Sequence, residues 1–181
     1  MKRFILFVLL LIYGNAFAQT NWLVDSSSVT FEILNAGIAV DGSFDGLNTN
    51  IKFNPADLDG SKIIASIESG TVNTGIRIRD KHLRKQDYFD TDSFPIIRLS
   101  CEKFQHEKDG RFIGEWTLEL KGSNESVSFP FIFTNNAGVA TFEGNFSINR
   151  LDFDIGRRSP ILADEVKVDI KVWAQGVQAT D

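Results

Sequence analysis

The chain has 181 residues, a formal charge of −5 and a hydrophobic content of 43%, with aromatic residues making up 12%. That is apolar material enough for the core of one ordinary domain, and an acidic balance offers no electrostatic footprint for nucleic acid. A single cysteine, Cys101, rules out an intramolecular disulfide.

The first eighteen residues read as a signal peptide. Lys2 and Arg3 form a basic start, Phe4 to Tyr13 a short apolar run, and Ala16-Phe17-Ala18 an A-x-A cleavage site. Cleavage after Ala18 predicts a secreted chain from Gln19 onward, more acidic by two charges. No later apolar stretch is long enough for a transmembrane anchor.

From there the pattern alternates. Trp22 to Asp25 and then Ser28 to Leu34 read as strand, with Val29, Phe31 and Ile33 on one face. Ile38 to Phe53 reads as one long bent strand or a tight pair, interrupted at Gly42 and Gly46. Extended segments follow over 62–69 and 71–76, then a strand over Ile96 to His106. Lys108-Asp109-Gly110, Lys121 to Asn124 and Asn135 to Gly138 carry turn chemistry. Between them Phe112, Gly114, Trp116, Leu118 and Leu120 share a face, as do Val127, Phe129, Phe131 and Phe133. Ala140, Phe142, Gly144, Phe146 and Ile148 line the next strand, and Val166, Val168, Ile170 and Val172 the last, with Ala174 to Asp181 expected to fray.

About eight short strands at regular spacing mean a sandwich or a barrel. One apolar and one polar face per strand, with bulky inward residues spaced by glycine, favour an antiparallel barrel. The expectation is a single all-β domain over 19–181.

One stretch breaks the alternation. Ile78 to Gln86 is basic and straight-chained, which predicts one short helix, with Asp80 in its first turn and Arg84 and Lys85 in its last. Arg79 and His82 share its face at i,i+3. His82 is the obvious acid–base candidate, but no Ser or Cys nucleophile sits in an elbow beside it, so the prediction is no catalytic residue. Asp87, Asp90 and Asp92 lack the spacing of a calcium loop, and no Cys or His pair offers zinc ligands, so neither metal nor cofactor is predicted. Alternation places Arg150 on the apolar face after Ile148, where a buried charge needs a partner, Asp80 or another carboxylate, or else a ligand contact. Cys101 falls on the apolar face of its strand and reads as an inert buried thiol.

Arg79-Asp80-x-His82-Leu83, Asp87-Tyr88-Phe89-Asp90 and Phe94-Pro95 together resemble the signature of the YceI family. The likeness extends to Trp22-x-Val-Asp25, Val40-x-Gly-x-Phe44, Gly114-x-Trp-x-Leu118 and Ile148-Asn-Arg-x-Asp-Phe153. Asp154 stands where the family usually carries Gly, and Trp116 where it usually carries Leu. The resemblance implies a lipocalin-like β-barrel of about eight strands with one short helix. It also implies a periplasmic binding or carrier protein, non-enzymatic, for a polyisoprenoid or isoprenoid quinone.

On that reading Phe31, Ile33, Phe44, Phe89, Phe112, Trp116, Phe129, Phe131, Phe142 and Phe146 would line the lumen, and Arg79, His82 and Arg150 would hold a polar head. An edge strand could pair two barrels into a homodimer. The rival readings are an enzyme using His82 on a lipid-like substrate, and a filled barrel serving as a stress-related protein-interaction module.

Overall fold

The computed structural model describes residues 20–177, so the signal peptide and cleavage site expected over 1–18 lie outside the described residues. Nine strands and one α-helix follow in the order β1 (Asn21–Asn35), β2 (Ile38–Phe44), β3 (Asn48–Lys52), β4 (Lys62–Glu68), α1 (Arg77–Leu83), β5 (Ile96–His106), β6 (Arg111–Leu120), β7 (Ser123–Asn136), β8 (Val139–Asn149) and β9 (Leu162–Val177). Every pairing is antiparallel, and β1 closes the sheet on β9.

β2 and β3 occupy one position in the wall. β2 pairs with the second half of β1, β3 with its first two residues, and Asp45-Gly46-Leu47 separates them. The barrel therefore has eight strand positions, which resolves the choice between one bent strand and a tight pair: it is one strand with a break. Three two-residue hairpin turns, Ala36-Gly37, Lys121-Gly122 and Ala137-Gly138, have positive φ at both residues. That matches the right-handed twist of the flanking strands.

β1 also joins two segments that look separate in the sequence. A bulge at Asp25 shifts the register between Val24 and Ser26. Trp22 and Val24 pack against the core on one side of it, Val29 and Phe31 face inward on the other, and the parity changes in between. One extra residue is what such a flip requires.

Three further details differ from expectation. The helix spans Arg77–Leu83, so Arg84 caps it and Lys85 lies beyond. Residues 71–76 form no strand; Ser69–Thr71 is a 3₁₀ turn, and Asn73 makes a lone bridge to Ser43. Of the stretch expected to fray, Ala174 to Val177 complete β9, with Ala174 buried against the closure with β1, and residues 178–181 lie outside the described residues.

The barrel is packed unevenly along its axis. At the end holding the starts of β1, β6 and β8, Phe53 is wholly buried and meets Phe104, Phe112, Phe131, Phe133 and Phe142 with ring centroids 5.1–5.8 Å apart. Trp22 donates its indole N–H to the Phe53 carbonyl at 2.9 Å. Above this floor Trp116, Phe129 and Phe146 stack in turn, 5.0 and 4.4 Å apart. Gly114 makes the stack possible, since a Cβ there would lie 2.3 Å from the Trp116 Nε1.

Cys101 is buried beside that stack, and burial pushes its thiol up to about 11. An unfolded thiol ionises near pH 8.5. Stability should therefore decline as pH rises from about 8.5 toward 11, because only the unfolded chain gives up the proton in that window. Ellman's reagent at pH 8 is expected to label the native protein far more slowly than the urea-unfolded one; equal rates would contradict the burial.

Candidate functional site

The opposite half of the barrel is hollow. A cavity of about 340 Å³ lies between the second half of β1, the first half of β9, the ends of β4, β6 and β8, and helix α1. Its wall is almost wholly apolar: Val29, Val40, Ile67, Leu99, Leu118, Ile148, Val166, Val168 and Ile170 contribute beside the aromatic rings. Several of these inward side chains, Phe31, Ile33, Phe146, Ile148, Val166 and Val168 among them, are only half-buried. An inner wall that touches space is the signature of an unfilled lumen, since close-packed cores leave few voids larger than a water molecule.

The sequence-derived candidates divide between the two halves. Phe31, Ile33, Phe44, Phe89, Phe146, Arg79, His82 and Arg150 all border the cavity. Phe112, Trp116, Phe129, Phe131 and Phe142 do not; they belong to the packed aromatic half, where a pocket of only about 60 Å³ remains. Planar rings meeting edge to face fill a barrel interior, whereas aliphatic side chains along β4, β6 and β9 leave room. The aliphatic liners Val29, Val166, Val168 and Ile170 were legible as faces in the sequence, but nothing there set them above the phenylalanines, and no face is assigned there to Val40 or Leu47.

Helix α1 closes the wall where β2 has no outer strand neighbour from Ile38 to Gly42 among the described residues. A local network holds it in place. The buried Asp80 accepts from the Thr74 amide at 2.8 Å and the Thr74 hydroxyl at 2.5 Å. Arg79 donates its Nε to the same hydroxyl at 2.7 Å and an Nη to the Thr74 carbonyl at 2.8 Å. Asp80 thus accepts a backbone N–H, as its position near the helix start suggests, but from the strap before the helix. The Thr74 hydroxyl foremost, then its amide and the nearby Arg84 and Arg79, hold the Asp80 carboxyl below its ordinary value. A depressed folded value means this strap contributes stability above the usual carboxylate range and loses it as pH falls. Arg84 adds a second tie, donating to the Gly70 and Val72 carbonyls at 2.7 and 2.9 Å.

His82 is exposed at the rim, with its ring packed on Tyr88 at 4.8 Å. Among the described residues it has no hydrogen bond to a carboxylate, although Asp87 and Ser159 border the same hollow. Arg150 is 2% exposed and serves as a clamp: it donates to the carbonyls of Ala163, Ile155, Arg157 and Leu162 and to Asp164 at 2.8 Å. The carboxylate that its burial demanded is therefore Asp164 at the start of β9. The clamp shapes the turn after β8, where Asp154 adopts φ 53°. Asp tolerates that left-handed conformation better than most residues, which accounts for its replacing Gly there.

Comparison with known proteins agrees with this geometry. The model of the YceI-like domain matches residues 22–174. A UPF0312 protein of Pseudomonas fluorescens is 27% identical over 163 residues, covering 83% of this chain and 81% of the relative. A UPF0312 protein of Staphylococcus aureus is 30% identical over 118 residues, covering 64% and 66%. Among solved structures, BcnA of Burkholderia cenocepacia superposes with a TM-score of 0.81 at 23% identity, over 84% of this chain and all of that one. A polyisoprenoid binding domain from Saccharophagus degradans superposes with a TM-score of 0.67 at 15% identity, over 87% and 98%.

Proposed function

The chain belongs to the YceI family, and from that membership we propose that it is a periplasmic binding protein that sequesters a long apolar lipid of isoprenoid type, a polyisoprenoid or an isoprenoid quinone. The observation that carries the reading is the hollow, apolar half of the barrel, open beside α1 and closed below by the aromatic floor. Burying an isoprenoid chain removes about 0.8 kcal/mol of unfavourable hydration per CH₂-sized unit, or about 4 kcal/mol per five-carbon unit. Phe31, Phe44, Phe89 and Phe146 supply the aromatic part of that wall, and Ile33 and the aliphatic residues of β9 much of the rest. The polyisoprenoid-binding domain of Saccharophagus degradans, which shares the barrel, supports the same ligand class.

At the rim, Arg79 spends Nε and one Nη on Thr74 and, among the described residues, its other Nη has no protein partner. Arg79 and His82 are the groups we assign to a polar head; Arg150 acts on the site only by holding the loop beneath it. We assign the protein a non-catalytic role, which the polyisoprenoid binding domain that shares the barrel supports. A homodimer through a sheet edge stays part of the reading, since β2 has no outer strand partner from Ile38 to Gly42 among the described residues.

Native mass spectrometry of protein isolated gently from its own host tests the reading. The expected spectrum shows a bound lipid of defined mass that is released on denaturation. A bare chain in every preparation would remove the proposal.

A further inference from the structure

The open end of the barrel gathers cations and exposed isoleucines. Along the wall, Lys62, Lys103, Lys167 and Lys171 and Arg98 are each ion-paired with a glutamate. Around the mouth five cations gather without such a partner: among the described residues, the side chains of Arg77, Lys81, Lys85, Arg157 and Arg158 form no ion pair, as is also true of Lys52, Lys108 and Arg111 elsewhere. The nearest acids do not offset them, since Asp80 is bonded to Thr74 and only Asp87 shares the hollow with Arg157 and Arg158. A cationic rim thus crowns an acidic protein.

Apolar side chains project between these charges. Ile78 is 85% exposed, Ile38 71% and Ile161 60%, the largest such values at this end. They come from three elements that converge. Ile38 stands opposite Asn35 at the tip of the β1–β2 hairpin, and the amide of Ala36 in that tip donates to the Ile161 carbonyl at 2.6 Å. Asn35, Ile161 and His82 border one hollow, and Ile78 lies on the His82 face of α1, one turn away. Exposed isoleucines interspersed with unpaired cations, and encircling the entrance to an apolar cavity, are the composition that enters a lipid interface.

We propose that the open end of the barrel docks on an anionic lipid bilayer. Ile38, Ile78 and Ile161 enter the headgroup boundary, and Arg77, Lys81, Arg157 and Arg158 pair with lipid phosphates. The mouth then faces the membrane, and an apolar ligand passes between cavity and bilayer without crossing water. Each cation near an anionic leaflet contributes about a fivefold gain in partition, so the docked state depends on lipid charge and on salt.

Flotation of the purified chain with vesicles of equal parts phosphatidylcholine and phosphatidylglycerol tests this, beside vesicles of phosphatidylcholine alone. The expected result is binding to the anionic vesicles only, weakened at about 1 M salt, where the Debye length falls to about 3 Å. I38E/I78E should lower that partition about tenfold or more, and R157E/R158E should do likewise. All four side chains are free of hydrogen bonds, so a matching circular-dichroism melt is expected to show that the variants fold. The proposal is overturned if the unaltered chain binds neither vesicle, binds both equally, or binds as well with I38E/I78E in place. Bound lipid in the native mass spectrum is read on the same samples. Vesicle binding by a chain that carries no lipid would count against the carrier reading and leave docking standing; lipid retained by I38E/I78E with vesicle binding lost would separate mouth from cavity.

Discussion

Replacing Phe53 by alanine is expected to cost about 3–5 kcal/mol of stability, the range for truncating a fully buried aromatic residue. Phe53 is wholly buried and is the ring that five others meet, so its loss leaves a void that no neighbour can fill without abandoning its own contacts. For a domain of this size that corresponds to a fall in Tm of roughly 6–20 °C. Urea unfolding of Phe53→Ala beside Phe31→Ala makes the test specific. Phe31 is half-buried and borders the cavity, so its truncation removes less packing and should cost distinctly less. Equal losses for the two would mean that the barrel is uniformly packed and that the distinction between floor and lumen is wrong.

Replacing Val168 by tryptophan should abolish lipid retention while leaving the fold nearly as stable. Val168 pairs with Phe31 on one side and Phe146 on the other, at the centre of the hollow half. An indole there would occupy the volume an isoprenoid chain needs. In a close-packed core such an insertion costs typically 1–3 kcal/mol; in a cavity of about 340 Å³ it meets open space. Native mass spectrometry and a urea melt on one preparation read both arms. Retained lipid would place the ligand elsewhere, and a large loss of stability would show that the lumen is already filled.

The second result also separates the carrier from its rivals. A protein-interaction module with a plugged barrel should be destabilised by the tryptophan. An enzyme acting through His82 should lose turnover in His82→Ala while still binding its substrate. The exposed His82 ring packs on Tyr88 and, among the described residues, has no hydrogen bond to a carboxylate.

Much of the architecture could be read without coordinates because it follows from local rules. Alternation in β6 puts Phe112, Trp116, Leu118 and Leu120 on one side, and all four are buried. The strand over Ile96 to His106 and the turns at Asp109-Gly110 and Lys121-Gly122 fall where residue chemistry places them. The family motifs, too, are strings of neighbouring residues. Where local signals compete, the reading slips. Basic residues after Leu83 suggested a longer helix than the one that Arg84 caps, because Arg84 is engaged with the carbonyls of Gly70 and Val72.

Sequence alone thus determined the class of fold, the family and which residues of each strand share a face, since all of these depend on residues close to one another in the chain; which face lines the lumen came from the closed barrel. Only the tertiary structure decided which stretch of the lumen is hollow, that Arg150 is occupied as a clamp, and that Ile38, Ile78 and Ile161 meet at one rim. The physical reason is that a period of two specifies a side chain's face but not its height along the barrel axis. Height, and with it the choice between a packed ring and an open wall, is set by register and by the neighbours across the lumen.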